Sequence, residues 1–181
     1  MTWTIILAGK GGTGKTTVAS LIVRELVQRN KRPVLAVDSD PDANFATGIG
    51  LPVFKTVGQL QQEWLKSLEK IPSGISKQEY LTATLHAAVS EGKDIDLLTM
   101  GRSEGPGCYC SPNAVLRDFV GKLQPNYAAV VVDNEAGMEH VSRRTVENID
   151  VLLMVADPTP VGIRTASRLI DLVKELELDI P

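Results

Sequence analysis

Gly9-Lys10-Gly11-Gly12-Thr13-Gly14-Lys15-Thr16-Thr17 follows the apolar run Thr4 to Ala8 directly and fits the spacing GxxxxGK[ST]. Residues of these types at this spacing bind phosphate. Glycines let successive backbone N–H groups turn onto phosphate oxygens, Lys15 supplies a mobile cation for the β- and γ-phosphates, and Thr16 offers its hydroxyl to Mg²⁺. Thr17 then opens a helix whose positive end faces the same anion. Gly9, Gly11, Gly12, Thr13, Gly14, Lys15, Thr16 and Thr17 are therefore the expected nucleotide-binding residues, with Lys15 also catalytic.

Two further segments carry acids suited to the same ligand. Val34 to Val37 leads into Asp38-Ser39-Asp40-Pro41-Asp42-Ala43-Asn44, which puts Asp38 and Asp40 at the end of an apolar strand, where ligands sit in open α/β sheets. Beside a Mg²⁺-nucleotide, one such acid can hold metal-bound water and the other orient the attacking water. Ala128 to Val132 runs into Asp133-Asn134-Glu135-Ala136-Gly137, in which Asp133 is placed for Mg²⁺ and Gly137 for close approach of backbone to the γ-phosphate.

The elements that must position these residues are legible as alternating apolar runs and helical patterns, the signature of βα units around a mainly parallel sheet. Expected strands are Thr2 to Ala8, Pro33 to Val37, Ile95 to Met100, Ala128 to Val132 and Val151 to Val155. Their Val/Ile/Leu-rich, non-alternating character suits strands covered on both faces. A helix over Thr17 to Arg29 buries Val18, Leu21, Ile22, Leu26 and Val27, and a final helix, Val161 to Leu176, turns Ala166, Leu169, Ile170, Val173 and Leu176 inward. Residues 56 to 92 read as a helical excursion broken at Pro72-Ser73-Gly74, with Ser76 and Glu79 as a capping box. Pro112 starts a helix with Val115, Leu116, Phe119, Val120 and Leu123 on its buried side. The fold class is thus a three-layer α/β/α P-loop NTPase, residues 1–181 forming one domain. The ending at Asp179-Ile180-Pro181, where another strand is due, reads as a domain cut short.

Bulk properties narrow the function. A chain of 181 residues with 43% hydrophobic content can bury one sizeable core. A formal charge of -3 argues against a sequence-wide nucleic-acid surface, and no apolar run approaches the ~20 residues that span a bilayer. Residues 1 to 15 lack the features of a signal peptide. The expectation is a cytoplasmic protein with neither nucleic acid nor membrane as partner. Cys108 and Cys110, the two cysteines, sit one residue apart, a spacing that in a reducing compartment reads as metal-binding or redox-active.

Lys10 within Lys10-Gly11-Gly12-Thr13-Gly14-Lys15-Thr16-Thr17, together with the Asp38 to Asn44 run, resembles the deviant Walker ATPases that include the ParA-type partitioning and MinD-type septum-positioning proteins. The resemblance implies that Lys10 reaches across a nucleotide-sandwiched homodimer to the partner's phosphates, with Asp40 as the water-orienting acid and Asp38 nearer the metal. Gly101 to Asn113, with its Cys108-Tyr109-Cys110, and Asp133 to Thr145 resemble the CooC-type ATPases that support nickel insertion into carbon monoxide dehydrogenase. That resemblance implies ATP and ADP as nucleotides and the dehydrogenase as client. The chemistry agrees, because one CxC supplies two thiolates whereas a tetrahedral Zn²⁺ or thiolate-rich Ni²⁺ site wants four. Two-fold symmetry brings Cys108 and Cys110 of both protomers together.

Two other readings stay open. A partitioning or positioning switch explains the nucleotide loop but gives no reason for the CxC. A redox protein resembling the nitrogenase iron protein would need a cysteine after the strand Ala128 to Val132, and Asp133 to Gly137 contains none. His140, Arg143 and Arg144 carry no assigned role, and His86 reads as packing or surface.

Overall fold

The computed structural model describes residues 1–66, 74–101, 118–134 and 149–175. Six strands form one sheet: β1 (Trp3–Gly9), β2 (Val34–Asp38), β3 (Val89–Ser90), β4 (Ile95–Thr99), β5 (Ala129–Asp133) and β6 (Val151–Val155). Their order is β3-β4-β2-β5-β1-β6, parallel except for β3 against β4. All five expected strands are present, and β2 and β5 are buried at every residue. Helices α1 (Lys15–Gln28), α2 (Phe45–Ile49), α3 (Val57–Lys66), α4 (Lys77–His86) and α5 (Pro160–Glu175) cover the sheet, with helical turns at residues 118–123. The architecture is the expected three-layer α/β/α P-loop fold.

Side-chain alternation along the central strands feeds two cores. Leu7, Val34, Ala36, Leu97 and Val131 face Ala19, Val23 and Phe45 on one side. Leu35, Val37, Leu98, Val130 and Val132 face Val57, Leu60, Leu85, Phe119 and Val120 on the other. Phe119, Val120 and Leu123 are buried as their spacing implies, whereas Val115 and Leu116 lie outside the described residues.

Several expectations need correction. The 56–92 segment is not wholly helical, because Val89 and Ser90 pair antiparallel with Leu98 and Leu97 as a two-residue strand. The short helix α2 was not anticipated. In α1 Val18, Ile22, Leu26 and Val27 pack against the core as expected, beside the fully buried Ala19 and Val23, but Leu21 is 57% exposed. In α5 Leu169 is buried and Ala166 and Val173 are half-buried, but Ile170, about 100° around the helix from Leu169, is 45% exposed, and Leu176 lies outside the described residues. The capping box at α4 is formed: Glu79 N–H donates to Ser76 Oγ at 3.1 Å, and Ser76 N–H to Glu79 Oε2 at 2.9 Å.

Candidate functional site

Strand β1 ends where the backbone turns sharply into the phosphate-loop sequence. Gly9 has φ 151°, and a Cβ there would collide with the Val155 carbonyl oxygen of neighbouring β6. Gly12 and Gly14 take left-handed φ values of 78° and 90°, a conformation available to glycine without steric cost. Gly14 is the N-cap of α1, so the helix begins at Lys15, two residues before the expected start. This places Thr16 and Thr17 in its first turn, beside its unpaired N–H groups.

Lys15 is only 7% exposed, and its ammonium donates to the Lys10 carbonyl at 3.2 Å. The Thr13 hydroxyl donates to that same oxygen at 2.8 Å. The Lys10 carbonyl therefore orders the loop from inside while the Lys10 side chain stays exposed.

The sheet register aligns the acids. Asp38 of β2 pairs with Asp133 of β5 on one side and Thr99 of β4 on the other, and Asp133 pairs with Leu7 of β1. The Thr16 hydroxyl and the Lys15 cation are close enough to Asp133 to favour its charged form. Burial nevertheless raises the Asp133 carboxyl above its ordinary range, against the lowering effects of Thr16 and Lys15. Its Oδ1 is buried with no partner among the described residues.

Asp38 and Asp40 have different surroundings. Asp38 is fully buried, and its two oxygens accept the backbone N–H groups of Asp40 at 3.1 Å and Phe45 at 2.9 Å. Burial pushes its carboxyl up to about 7, with Asp133 and Asp40 adding repulsion against the lowering effect of those two bonds. Asp38 thus clamps the turn between β2 and α2. Asp40 lines an open cleft of about 940 Å³ with Gly12, Gly14, Lys15, Thr16 and Thr17. Its Oδ1 accepts the Asp42 N–H at 2.9 Å, which fixes the carboxylate toward that side.

The cleft gathers Gly11, Gly12, Gly14, Lys15, Thr16, Thr17 and Asp40 along one wall, while Gly9, Lys10 and Thr13 border a narrower crevice against β6 and α5. Asp42, Asn44 and Thr47 also line the cleft without having been singled out by sequence. Asp42 and Asn44 were visible in the acidic run; Thr47 follows no motif. Cys108, Cys110, Gly137, His140, Arg143 and Arg144 lie outside the described residues.

The residues present fit a Mg²⁺-nucleotide. A divalent cation at the Thr16–Asp133 pair would supply the positive charge that a buried carboxylate with an unpartnered oxygen lacks. Lys15 and the start of α1 present positive charge to the same cleft, as a triphosphate requires.

Comparison with known proteins agrees with this geometry. A family model described as an AAA domain matches residues 1–180. The chain is 43% identical over 176 residues to an uncharacterized ATP-binding protein of Methanocaldococcus jannaschii, covering 96% of this chain and 69% of that protein. It is 32% identical over 183 residues to the carbon monoxide dehydrogenase accessory protein CooC of Rhodospirillum rubrum, covering 95% and 69%. In fold it is similar to a ParA family ATPase from Chlorobium tepidum, with a TM-score of 0.71, 21% identity, and coverage of 99% and 71%. A glycine-built loop at the end of β1, acids at the ends of β2 and β5, and these similarities agree on one conclusion: the chain belongs to the AAA domain family, among the ParA/MinD-like P-loop ATPases.

Proposed function

We propose that this ATPase acts as a homodimeric metallochaperone that supports nickel insertion into carbon monoxide dehydrogenase, carrying Ni²⁺ or Zn²⁺ as cargo between paired Cys108 and Cys110. The observation that carries this reading is the 32% identity to CooC along 95% of a chain that itself contains Cys108-Tyr109-Cys110. Thiolates at that spacing give half of a four-sulfur site, and two protomers complete it.

In this reading Gly12, Gly14, Lys15 and Thr17 hold the phosphates, Thr16 and Asp133 hold Mg²⁺, and Gly137 approaches the γ-phosphate. ATP with Mg²⁺ supplies the hydrolytic free energy. Asp40 orients the attacking water from the cleft wall, and Asp38 keeps the Asp40 turn in place through the Asp40 and Phe45 N–H groups. Lys10 reaches the partner's phosphates, so that nucleotide and metal both favour the same closed dimer and each strengthens the other's binding.

Metal analysis of the sized dimer, with ADP and with a non-hydrolysable ATP analogue, tests the reading. Wild type should hold one Ni²⁺ or Zn²⁺ per two chains, and Cys108→Ala with Cys110→Ala should lose it. Unchanged stoichiometry in the double variant would remove the thiolate site. The similarity in fold to a ParA family ATPase favours a second reading, a nucleotide switch for partitioning or positioning. Stimulation of hydrolysis by DNA or lipid vesicles, with no effect of the cysteine substitutions, would select it.

A further inference from the structure

The segment that follows β2 lines the nucleotide cleft with Asp40, Asp42, Asn44, Thr47 and Gly48. It is held at two ends. Asp38 fixes the first, accepting the Asp40 N–H at 3.1 Å and the Phe45 N–H at 2.9 Å. The second is Gly48, where α2 packs on α1 beside Ser20, another residue of the cleft lining.

Among the described residues, a Cβ at Gly48 would meet Ser20 alone, colliding with its hydroxyl oxygen and lying 3.1 Å from its Cβ. Ser20 is itself held in place. Its hydroxyl donates to the Thr16 carbonyl at 2.8 Å, one turn back along α1, which ties it to the turn carrying Thr16. Rotating that hydroxyl away would break the bond and still leave the Ser20 Cβ close. Glycine is a poor helix former, and Gly48 is exposed, so neither propensity nor burial accounts for a glycine inside α2. The contact with Ser20 does.

We propose that Gly48 is a positioning residue for hydrolysis: its missing side chain lets α2 seat on Ser20, and that contact sets the distance between the α1 turn carrying Thr16 and the segment carrying Asp40. The inference rests on the reading of Asp40 as the acid that orients the attacking water. A methyl group added at Gly48 overlaps Ser20 enough to demand a shift of about 1 Å between the two helices. A displacement of that size at reacting groups can cost up to about a hundredfold in rate. Gly12, Gly14 and Lys15 stand outside the contact, so the phosphates are still received as before.

Gly48→Ala tests the idea. It should lower kcat for ATP hydrolysis about tenfold and change KM by less than about twofold. Ser20→Gly removes both atoms that the added methyl meets, so in that background Gly48→Ala should lower kcat by less than about twofold. A kcat unaltered by Gly48→Ala, or an equal fall in both backgrounds, overturns the proposal. Should Gly48→Ala not fold, recovery of a folded enzyme with the turnover of Ser20→Gly supports the contact, and no recovery overturns it. NMR of nucleotide-free protein gives a readout apart from turnover. The amide signals of Asp42 and Phe45, which bond Asp40 and Asp38, should move in Gly48→Ala and return when Ser20→Gly is added. Signals that stay in place overturn the inference. Asp40→Asn separates it from the reading beneath it: where Asp40 orients water, kcat falls strongly and Gly48→Ala adds less than about twofold. A further tenfold fall would place the effect on another group and overturn the link to Asp40. If Asp40→Asn leaves kcat unaltered, the reading of Asp40 fails, while the reversal by Ser20→Gly still decides whether the contact sets the cleft.

Discussion

The centre of the sheet and its β6 edge are built to different standards. Strands β2 and β5 are buried at every position, and their ends place Asp38 and Asp133 in one lateral row beside Leu7 and Thr99. Strand β6 is only half-buried throughout, and its helix α5 leaves Val161, Ile163 and Ile170 exposed. Groups that must meet a triphosphate need fixed positions, and a strand covered on both faces supplies them. The edge joins that centre through the parallel pairing of β6 with β1, from Ile5 with Val151 to Gly9 with Val155, and Leu152 and Leu153 pack against the two cores from a half-buried strand.

The contrast can be broken at several points. The largest effect is expected at the cleft itself: Lys15→Ala should lower ATP turnover by about a hundredfold or more, because the cation at the phosphates is removed. Steady-state phosphate release measures it.

The next effect comes from pH. Asp38 is pushed up to about 7 in the folded protein, so between its unfolded value of 3.8 and about 7 the native state binds its proton more tightly than the unfolded state does. Stability from this group is therefore highest below the unfolded value, falls as pH rises through that window, and is at its lowest above about 7. The full span is at most about 4 kcal/mol. Denaturant unfolding of nucleotide-free protein between pH 4 and 8 should show that decline, and Asp38→Asn should flatten it. Asp133, also raised by burial, contributes in the same direction.

Packing should separate the two regions next. Leu7→Ala, in the fully buried centre, is expected to cost about 3 kcal/mol, and Ile170→Ala, at the exposed edge, less than about 0.5 kcal/mol. Equal losses would show that the edge is packed as firmly as the centre. Between those two values lies an effect away from both regions: Ser76→Ala removes the α4 cap and should cost about 1 kcal/mol in the same assay.

The central strands were readable because a doubly covered strand is a continuous apolar run, and the phosphate loop was readable because its glycines serve backbone geometry at fixed spacing. Strand β3 was hidden because two residues carry no periodicity, and its pairing with Leu97 and Leu98 is set by tertiary context. Leu21 and Ile170 were placed inward because a helical wheel does not show which of two neighbouring apolar residues meets the sheet. The spacing of Asp38 and Asp40 suggested a shared chemical task. It did not reveal that the chain turns at Ser39, leaving Asp38 engaged by backbone and Asp40 at the cleft wall.

The Lys10 carbonyl that accepts from both Thr13 and Lys15 affects how a ligand is received. A lysine head pointed at a neutral oxygen of its own loop is already stripped of much of its hydration and aimed within the loop. An arriving phosphate offers it a charged acceptor, and Thr13 remains to satisfy the oxygen it leaves. Capture is then an exchange of one partner for a stronger one, with little reorganisation to slow it.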